Sequence, residues 1–119
     1  EDKKGFLRYV KFLYLFKQNK FKELKEFFAQ EMVLPEKRKD LDKIVLGGIY
    51  ALMAEMEFIN KNNIEAFKYL YSAIENLEKD NYILEAFVVS LYPYKYKIDE
   101  KEIEKFENYI KEFSIKEKF

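Results

Sequence analysis

The sequence lacks histidine, cysteine, tryptophan and threonine altogether. Without cysteine the chain offers neither a disulfide nor a thiolate nucleophile, and without histidine or cysteine a zinc or other transition-metal site is not expected. A Ser-His or Cys-His nucleophile pair is likewise excluded within this chain. Glu55 and Glu57 are two residues apart and cannot share a helical face, so they are not expected to form a catalytic carboxylate pair. We therefore predict that the chain is not an enzyme and that it binds no metal or cofactor.

An excess of basic charge is also missing. The 22 Lys and Arg residues are balanced by 22 Asp and Glu residues, so the formal net charge is zero. Proteins dedicated to nucleic acids or to anionic membrane surfaces usually carry a basic excess. We therefore do not expect the chain to bind nucleic acid, although the composition leaves a local basic patch open.

Long apolar runs are missing as well. The longest uncharged apolar run covers residues 44–54, which is 11 residues. A membrane-spanning helix needs about 20 apolar residues, so we interpret this run as part of a buried helix and predict no membrane span. A length of 119 residues suits a single domain with one modest core. Because the sequence begins with Glu1 and not with Met, we expect this single domain (residues 1–119) to be a fragment or a processed part of a longer chain.

Glycine and proline are scarce, at three and two residues, which argues against a turn-rich all-β fold. Apolar residues instead recur at helical spacing along the whole sequence. Six helical segments are predicted, at residues 5–18, 21–32, 41–60, 64–79, 82–92 and from about 100 onward, with breaks at 19–20 and 80–81. We therefore predict an all-α fold in which short connections make consecutive helices antiparallel hairpins. The fifth segment is almost wholly apolar and is predicted to be central.

Polar residues mark the predicted helix starts. Asp40 is the predicted N-cap of the third segment. Asn62 with Glu65, and Asp99 with Glu102, have the spacing of a capping box. In that motif the first side chain accepts a hydrogen bond from the amide three residues on, and the second side chain reaches back to the first amide.

Two of the three glycines, Gly47 and Gly48, lie side by side inside the third predicted helix. Glycine in a helix interior costs about 1 kcal/mol relative to alanine. One explanation is that neighbouring helices approach closely at this point, with Gly47 the packed residue and Gly48 the more tolerant one. The other explanation is a kink or break in a long helix. We favour close packing.

Several short patterns resemble the tetratricopeptide repeat, a family built from pairs of antiparallel helices. Residues 46–50 read Leu-Gly-x-x-Tyr, as in the first helix of that repeat, and residues 19–23 read Asn-Lys-Phe-x-Glu, similar to its turn. Ala66 and Ala73 match the two small positions of its second helix. The spacing differs, since equivalent positions 24 and 66 are 42 residues apart where the family repeats every 34.

This resemblance implies a short α-solenoid of stacked hairpins. The inner faces of the first helix of each hairpin would form a groove for a partner peptide, either an amphipathic helix or an extended segment. The implied groove residues are Phe6, Tyr9, Leu13 and Lys17 of the first predicted helix and Leu41, Ile44, Gly48 and Ala51 of the third. The alternative is that these residues form an ordinary core that the first and last helices close over.

A second candidate surface lies at residues 92–97, which read Tyr-Pro-Tyr-Lys-Tyr-Lys. Tyrosine is common among the anchor residues of protein interfaces, so Tyr94 and Tyr96 are candidate partner-binding residues. Alternating aromatic and basic residues also suit stacking on single-stranded nucleic acid. The remaining alternative is that the tyrosines fold back on the helix ends while the lysines are solvated.

Together these patterns predict a protein–protein interaction or scaffold module that binds another protein or peptide. The alternative is a structural subunit of a larger complex that self-associates as a homo-oligomer through its apolar surfaces.

Overall fold

The computed structural model describes residues 2–32, 42–105 and 107–108. Six helices are bounded there as α1 (Asp2–Lys17), α2 (Phe21–Met32), α3 (Lys43–Ile59), α4 (Asn63–Lys79), α5 (Ile83–Ser90) and α6 (Tyr92–Lys95). A further helical stretch covers residues 100–105. No strand occurs in these ranges, so the predicted all-α fold is confirmed. None of the helices in the described part of the chain combines the length and the apolar character needed to cross a lipid bilayer.

One residue in the left-handed conformation closes each of four helix ends. These residues are Asn19, Lys61, Asn81 and Lys97, with φ values of 57°, 63°, 63° and 57°. At each of them the next amide donates to the carbonyl five residues earlier, as from Lys20 to Leu15 at 3.0 Å. This Schellman geometry satisfies carbonyls that the helix end leaves without partners. The predicted breaks at 19–20 and 80–81 are confirmed, and each of these turns leads directly into the next helix.

The start of α3 differs from the prediction. The N-cap residue is Asp42, whose side chain makes no capping hydrogen bond, and the helix begins at Lys43. The predicted start at Leu41 is therefore two residues too early. The predicted N-cap, Asp40, and Leu41 itself lie outside the described residues.

The two predicted capping boxes are replaced by longer-range hydrogen bonds. Asn62 is the N-cap residue of α4, but it makes no side-chain cap, and its Nδ2 donates instead to Glu57 Oε1 at 3.0 Å. The Glu57 side chain is buried and a buried carboxylate needs donors, which is why it competes successfully for the Asn62 side chain. This predicted capping box is therefore wrong.

The second box is not formed as predicted, because the amide that bonds to Asp99 lies two residues on and not three. Asp99 Oδ1 accepts a hydrogen bond from the Lys101 amide at 3.5 Å. Glu102 does not reach back to this helix start, because its carboxylate accepts from Asn63 Nδ2 on α4 at 3.2 Å. That hydrogen bond ties the last described segment to the beginning of α4.

Helix α3 lies between two clusters of buried side chains. The first cluster joins α3 to α1 and α2 and includes Phe12, Leu24 and Met53. The second joins α3 to α4, α5 and residues 100–105, and it includes Phe58 and Leu70. Because α3 contributes to both clusters, α1 and α5 lie on different sides of it.

The predicted central position of residues 82–92 is wrong. Within α5 only Ala86 and Val89 are buried, whereas Leu84 is 72% and Phe87 is 60% exposed. The helix packs one side against α4, and no element in the described ranges covers its large apolar side chains on the other side. The central helix is α3, in which ten residues are buried.

The two adjacent glycines of α3 are both packed, and the helix continues through them without a break. A Cβ atom on Gly47 would come within 2.5 Å of Leu77 Cγ, and one on Gly48 within 2.8 Å of Tyr9 Cε1. The prediction of close packing is therefore confirmed, and the neighbours are side chains of α4 and α1. The greater tolerance of Gly48 stays a prediction, and its contact with the edge of a half-buried ring, rather than with the branch point of a buried leucine, favours it.

Candidate partner-binding groove

A cavity of about 680 Å³ lies along α3, with α1 on one side and α5 and α6 on the other. We call this cavity the groove. Its floor is formed by α3 residues Ile44, Val45, Gly47, Gly48, Ala51, Leu52 and Glu55. Its walls are formed by Phe6, Tyr9, Leu13, Phe16 and Lys17 of α1, Leu77 of α4, and Leu84, Glu85, Val88, Val89, Tyr92 and Lys95 of α5 and α6. The α3 residues of the lining include three small ones, Gly47, Gly48 and Ala51, whereas the residues from the other helices are all larger.

The structure brings together seven of the predicted site residues at the groove. These are Phe6, Tyr9, Leu13 and Lys17 from α1, and Ile44, Gly48 and Ala51 from α3. The groove is open to solvent, since Phe6 on its wall is 60% exposed and Lys17 is also exposed. These residues therefore do not form a core that is closed over by the described helices. Binding of a partner at these residues stays a prediction.

The wall formed by α5 and α6 is absent from the predicted site. Leu84, Val88 and Tyr92 on that wall recur every four residues, which is the spacing of one helical face. That spacing indicates a helix face able to line a groove. The strongly apolar character of residues 82–92 instead led to the prediction that the whole segment is buried at the centre of the fold.

The carboxylate of Glu55 connects α3 to α6 at the groove. Glu55 Oε2 accepts hydrogen bonds from Lys95 Nζ at 3.0 Å and from the hydroxyl of Tyr96. The Lys95 ammonium also lies over the rings of Tyr92 and Tyr96, at 5.5 and 5.2 Å from their centroids. Both charges at this point are therefore engaged within the chain.

Burial and Glu55 together hold the nearby tyrosines in their neutral form. The pKa of Tyr92 is raised well above 10.0, first by burial and then by the charge of Glu55. The pKa of Tyr96 is raised in the same way, by burial and then by its hydrogen bond to Glu55. On the opposite wall, burial and then Glu55 raise the pKa of Tyr9. These hydroxyls remain hydrogen-bond donors at neutral pH.

The two tyrosines predicted in the second surface are placed differently. The Tyr96 ring stacks on Phe58, with centroids 5.7 Å apart and ring planes at 15°, so this tyrosine folds back on the core. Tyr94 is 61% exposed. Neither residue lines the groove, and α6 contributes Tyr92 and Lys95 there instead. Residues 92–97 therefore do not present three tyrosines on one surface.

The acidic residues of α3 have separate partners. Glu57 bonds to Asn62 and lies 3.8 Å from Lys25 Nζ on α2, whereas Glu55 faces the groove. Over the described residues no cluster of three His, Cys, Asp or Glu side chains is arranged to hold a metal ion. The groove offers mainly apolar contact area, and the charged side chains among its described lining residues are Lys17, Glu55, Glu85 and Lys95.

Comparison of the chain with protein-family models, with curated proteins and with solved structures finds no match. The resemblance to tetratricopeptide repeats therefore rests on this chain's own residues.

Proposed function

We propose that the chain is a protein–protein interaction or scaffold module whose groove binds a segment of a partner protein. The observation that supports this most directly is the groove itself, an open and mostly apolar cavity of about 680 Å³. Contiguous apolar surface on a water-facing cleft is characteristic of a binding site, because exposing it without a partner is unfavourable. The groove is also built on rigid helices, which reduces the conformational entropy lost on binding.

The helix order supports a tetratricopeptide-like arrangement as part of this proposal. In that arrangement α1, α3 and α5 are the first helices of three successive hairpins, and α2, α4 and the segment at 100–105 are the second helices. The groove lies against α1, α3 and α5, which is the side that the resemblance assigns to partner binding.

The test uses matched substitutions on each wall of the groove. Tyr9→Ala removes a ring that lines the groove, and Tyr14→Ala removes an exposed ring of the same helix that does not. On the other wall, Val88→Lys changes a lining residue, and Ile83→Lys changes an equally exposed neighbour outside the lining. A partner is first captured from native lysate and purified, and its dissociation constant is then measured for each variant by calorimetry.

We expect Tyr9→Ala and Val88→Lys to weaken binding at least tenfold, which corresponds to about 1.4 kcal/mol. Tyr14→Ala and Ile83→Lys should bind as the wild type does. Equal affinity for all four variants would place the binding surface elsewhere and reject the groove.

A second candidate function, self-association, is favoured by the outer face of α5. Ile83 and Phe87 on that face, and Leu91 directly after the helix, are exposed and do not line the groove. Terminal units of stacked helical hairpins usually carry a polar outer face, and here that face is apolar. A net charge of zero also gives no long-range repulsion between copies.

Sedimentation equilibrium over a wide range of protein concentrations tests this candidate. Self-association through α5 predicts a mass that rises with concentration for the wild type and stays monomeric for Phe87→Glu. A monomeric mass for the wild type throughout the range would reject it.

A further inference from the structure

We propose that the partner segment bound in the groove is an amphipathic α-helix, with an acidic residue on the edge that faces Lys17 and a basic residue on the edge that faces Glu85. This inference rests on the proposed function and specifies the chemistry of the partner. It follows from the hydrogen bonds that the groove can offer, from its shape and from its unpaired charges.

The described lining of the groove offers few backbone partners to an extended peptide. Each of these lining residues belongs to a helix, so their amides and carbonyls are largely engaged in helical hydrogen bonds. An extended segment in this apolar environment would leave its own amides and carbonyls without partners, which is unfavourable. A helix satisfies its backbone internally and therefore enters the groove without that cost.

The polar side chains of the lining do not compensate for this. Lys95 and Glu55 bond to each other at 3.0 Å, and Glu55 also accepts from the Tyr96 hydroxyl. These contacts fix α6 against α3 and leave little capacity to bond an incoming main chain.

The shape of the groove suits the side chains of one helical face. Gly48 and Ala51 contribute little side-chain volume to its floor, while Leu13 of α1 and Val88 of α5 line it from two different helices. A helix laid along such a trough inserts apolar residues spaced at i, i+3 or i+4, and i+7. A volume of about 680 Å³ accommodates several large side chains of this kind.

Two further charged residues of the groove lie on different helices, and their charges favour particular charges on the two sides of a bound helix. Lys17 belongs to α1 and Glu85 to α5, and both side chains are exposed. Within the described residues neither of them forms an ion pair. A bound helix would therefore meet a positive charge along one edge and a negative charge along the other, which favours opposite charges at its own flanking positions.

The experiment is a display selection of random 16-residue peptides on the wild-type chain, with counter-selection on the Tyr9→Ala/Val88→Lys double variant. We expect selected peptides to carry apolar residues at helical spacing, with Asp or Glu on one edge and Lys or Arg on the other. A synthetic copy of the best peptide should gain helical circular dichroism when it binds.

Charge reversal then tests the edges with this synthetic peptide. Lys17→Glu should weaken its affinity roughly two- to fivefold, the scale expected for an exposed ion pair. Changing the acidic residue of the peptide to lysine should restore the affinity for Lys17→Glu. The matched control is Lys22→Glu, which alters an exposed lysine of α2 outside the groove and should leave the affinity unchanged.

The outcomes separate this inference from the proposed function. Selected peptides with apolar residues at alternate positions would overturn the helical ligand while supporting a groove that binds peptides. Helical peptides that are equally affected by Lys17→Glu and Lys22→Glu would overturn the charged edges. A selection that yields no peptide able to distinguish the wild type from the double variant would overturn both the inference and the proposed function.

Discussion

Helices α3 and α5 are both strongly apolar, yet they occupy opposite environments. In α3 ten residues are buried, whereas in α5 only Ala86 and Val89 are buried. The difference arises from their neighbours, because α3 is enclosed by two side-chain clusters, whereas α5 contacts the other described helices on one side only. The apolar composition of a helix therefore indicates that another surface covers it. It does not indicate whether that surface belongs to the same chain.

Small residues distinguish the two helices more clearly than apolar content does. Helix α3 has Gly47, Gly48, Ala51 and Ala54, and its two glycines leave space for side chains of α4 and α1. Helix α5 has one alanine, and its other apolar residues are large. The helix that must accept neighbours on several sides is the one with space for them.

The largest expected effect is a cavity in α3. Ile49 is fully buried, so Ile49→Ala should lower the free energy of unfolding by about 2–5 kcal/mol. Urea denaturation measures this loss, with an unchanged dependence on urea as the control for an intact fold. A loss similar to that of an exposed alanine substitution would show that α3 is not the centre of the core.

The next effect is at the adjacent glycines. In Gly47→Ala the new methyl group lies 2.5 Å from Leu77 Cγ, and the resulting overpacking should cost about 1–3 kcal/mol. That cost exceeds the gain of about 1 kcal/mol that alanine brings to a helix. Gly48→Ala meets the Tyr9 ring, which has solvent beside it, and should change the stability less. The two variants are compared by thermal unfolding, and the reverse order would contradict this packing.

A smaller effect is expected from alkaline pH at the contact between α3 and α6. Tyr92 and Tyr96 ionise near pH 10.0 when unfolded, and their pKa values are raised in the folded chain. Their contribution to stability is therefore complete below pH 10 and is lost as the pH rises above it. The loss is at most about 1.4 kcal/mol per pH unit for each tyrosine, and less here because both are partly exposed.

Denaturation curves between pH 8 and about pH 11 measure this dependence. Glu55→Gln should flatten it, because the carboxylate contributes to both raised pKa values. The same pH dependence in the variant and in the wild type would mean that burial alone holds these tyrosines neutral.

The smallest effect is expected from the same aliphatic substitution in α5. Ile83 is 58% exposed, so Ile83→Ala should change the free energy of unfolding by no more than about 0.5 kcal/mol. Urea denaturation in parallel with Ile49→Ala gives the direct comparison of the two helices. A loss of several kcal/mol at Ile83 would show that α5 is covered, either within the chain or by a second copy.

The sequence predicted α1 to α5 and the helical stretch that begins at residue 100, but not α6, which starts where the fifth predicted segment ends. It also predicted seven of the residues that line the groove. Apolar spacing predicts the hairpins, and the resemblance to tetratricopeptide repeats places Tyr9 and Gly48 on one surface, where both line the groove. The α5 wall was not predicted, because the apolar character of Leu84 and Val88 is the same whether a helix is covered or exposed. Burial depends on the arrangement of the other helices, which no local pattern contains.

The helix starts show a similar limit. Asn62 has the spacing of a capping residue, but its side-chain amide donates a hydrogen bond to the carboxylate of the buried Glu57. Asn63, in turn, bonds to Glu102, 39 residues away. Local motifs predict what a side chain is able to do, and long-range neighbours decide which of those hydrogen bonds forms.

Two lysines of this chain have a backbone conformation that glycine adopts more easily, so replacing them could raise the stability of the fold. No glycine has a positive φ, whereas Lys61 and Lys97 do. A left-handed residue other than glycine costs about 1–2 kcal/mol, so Lys61→Gly and Lys97→Gly are candidates for a thermostabilised background. Both residues lie outside the groove lining, and such a background would let disruptive changes to the groove floor be studied in a chain that remains folded.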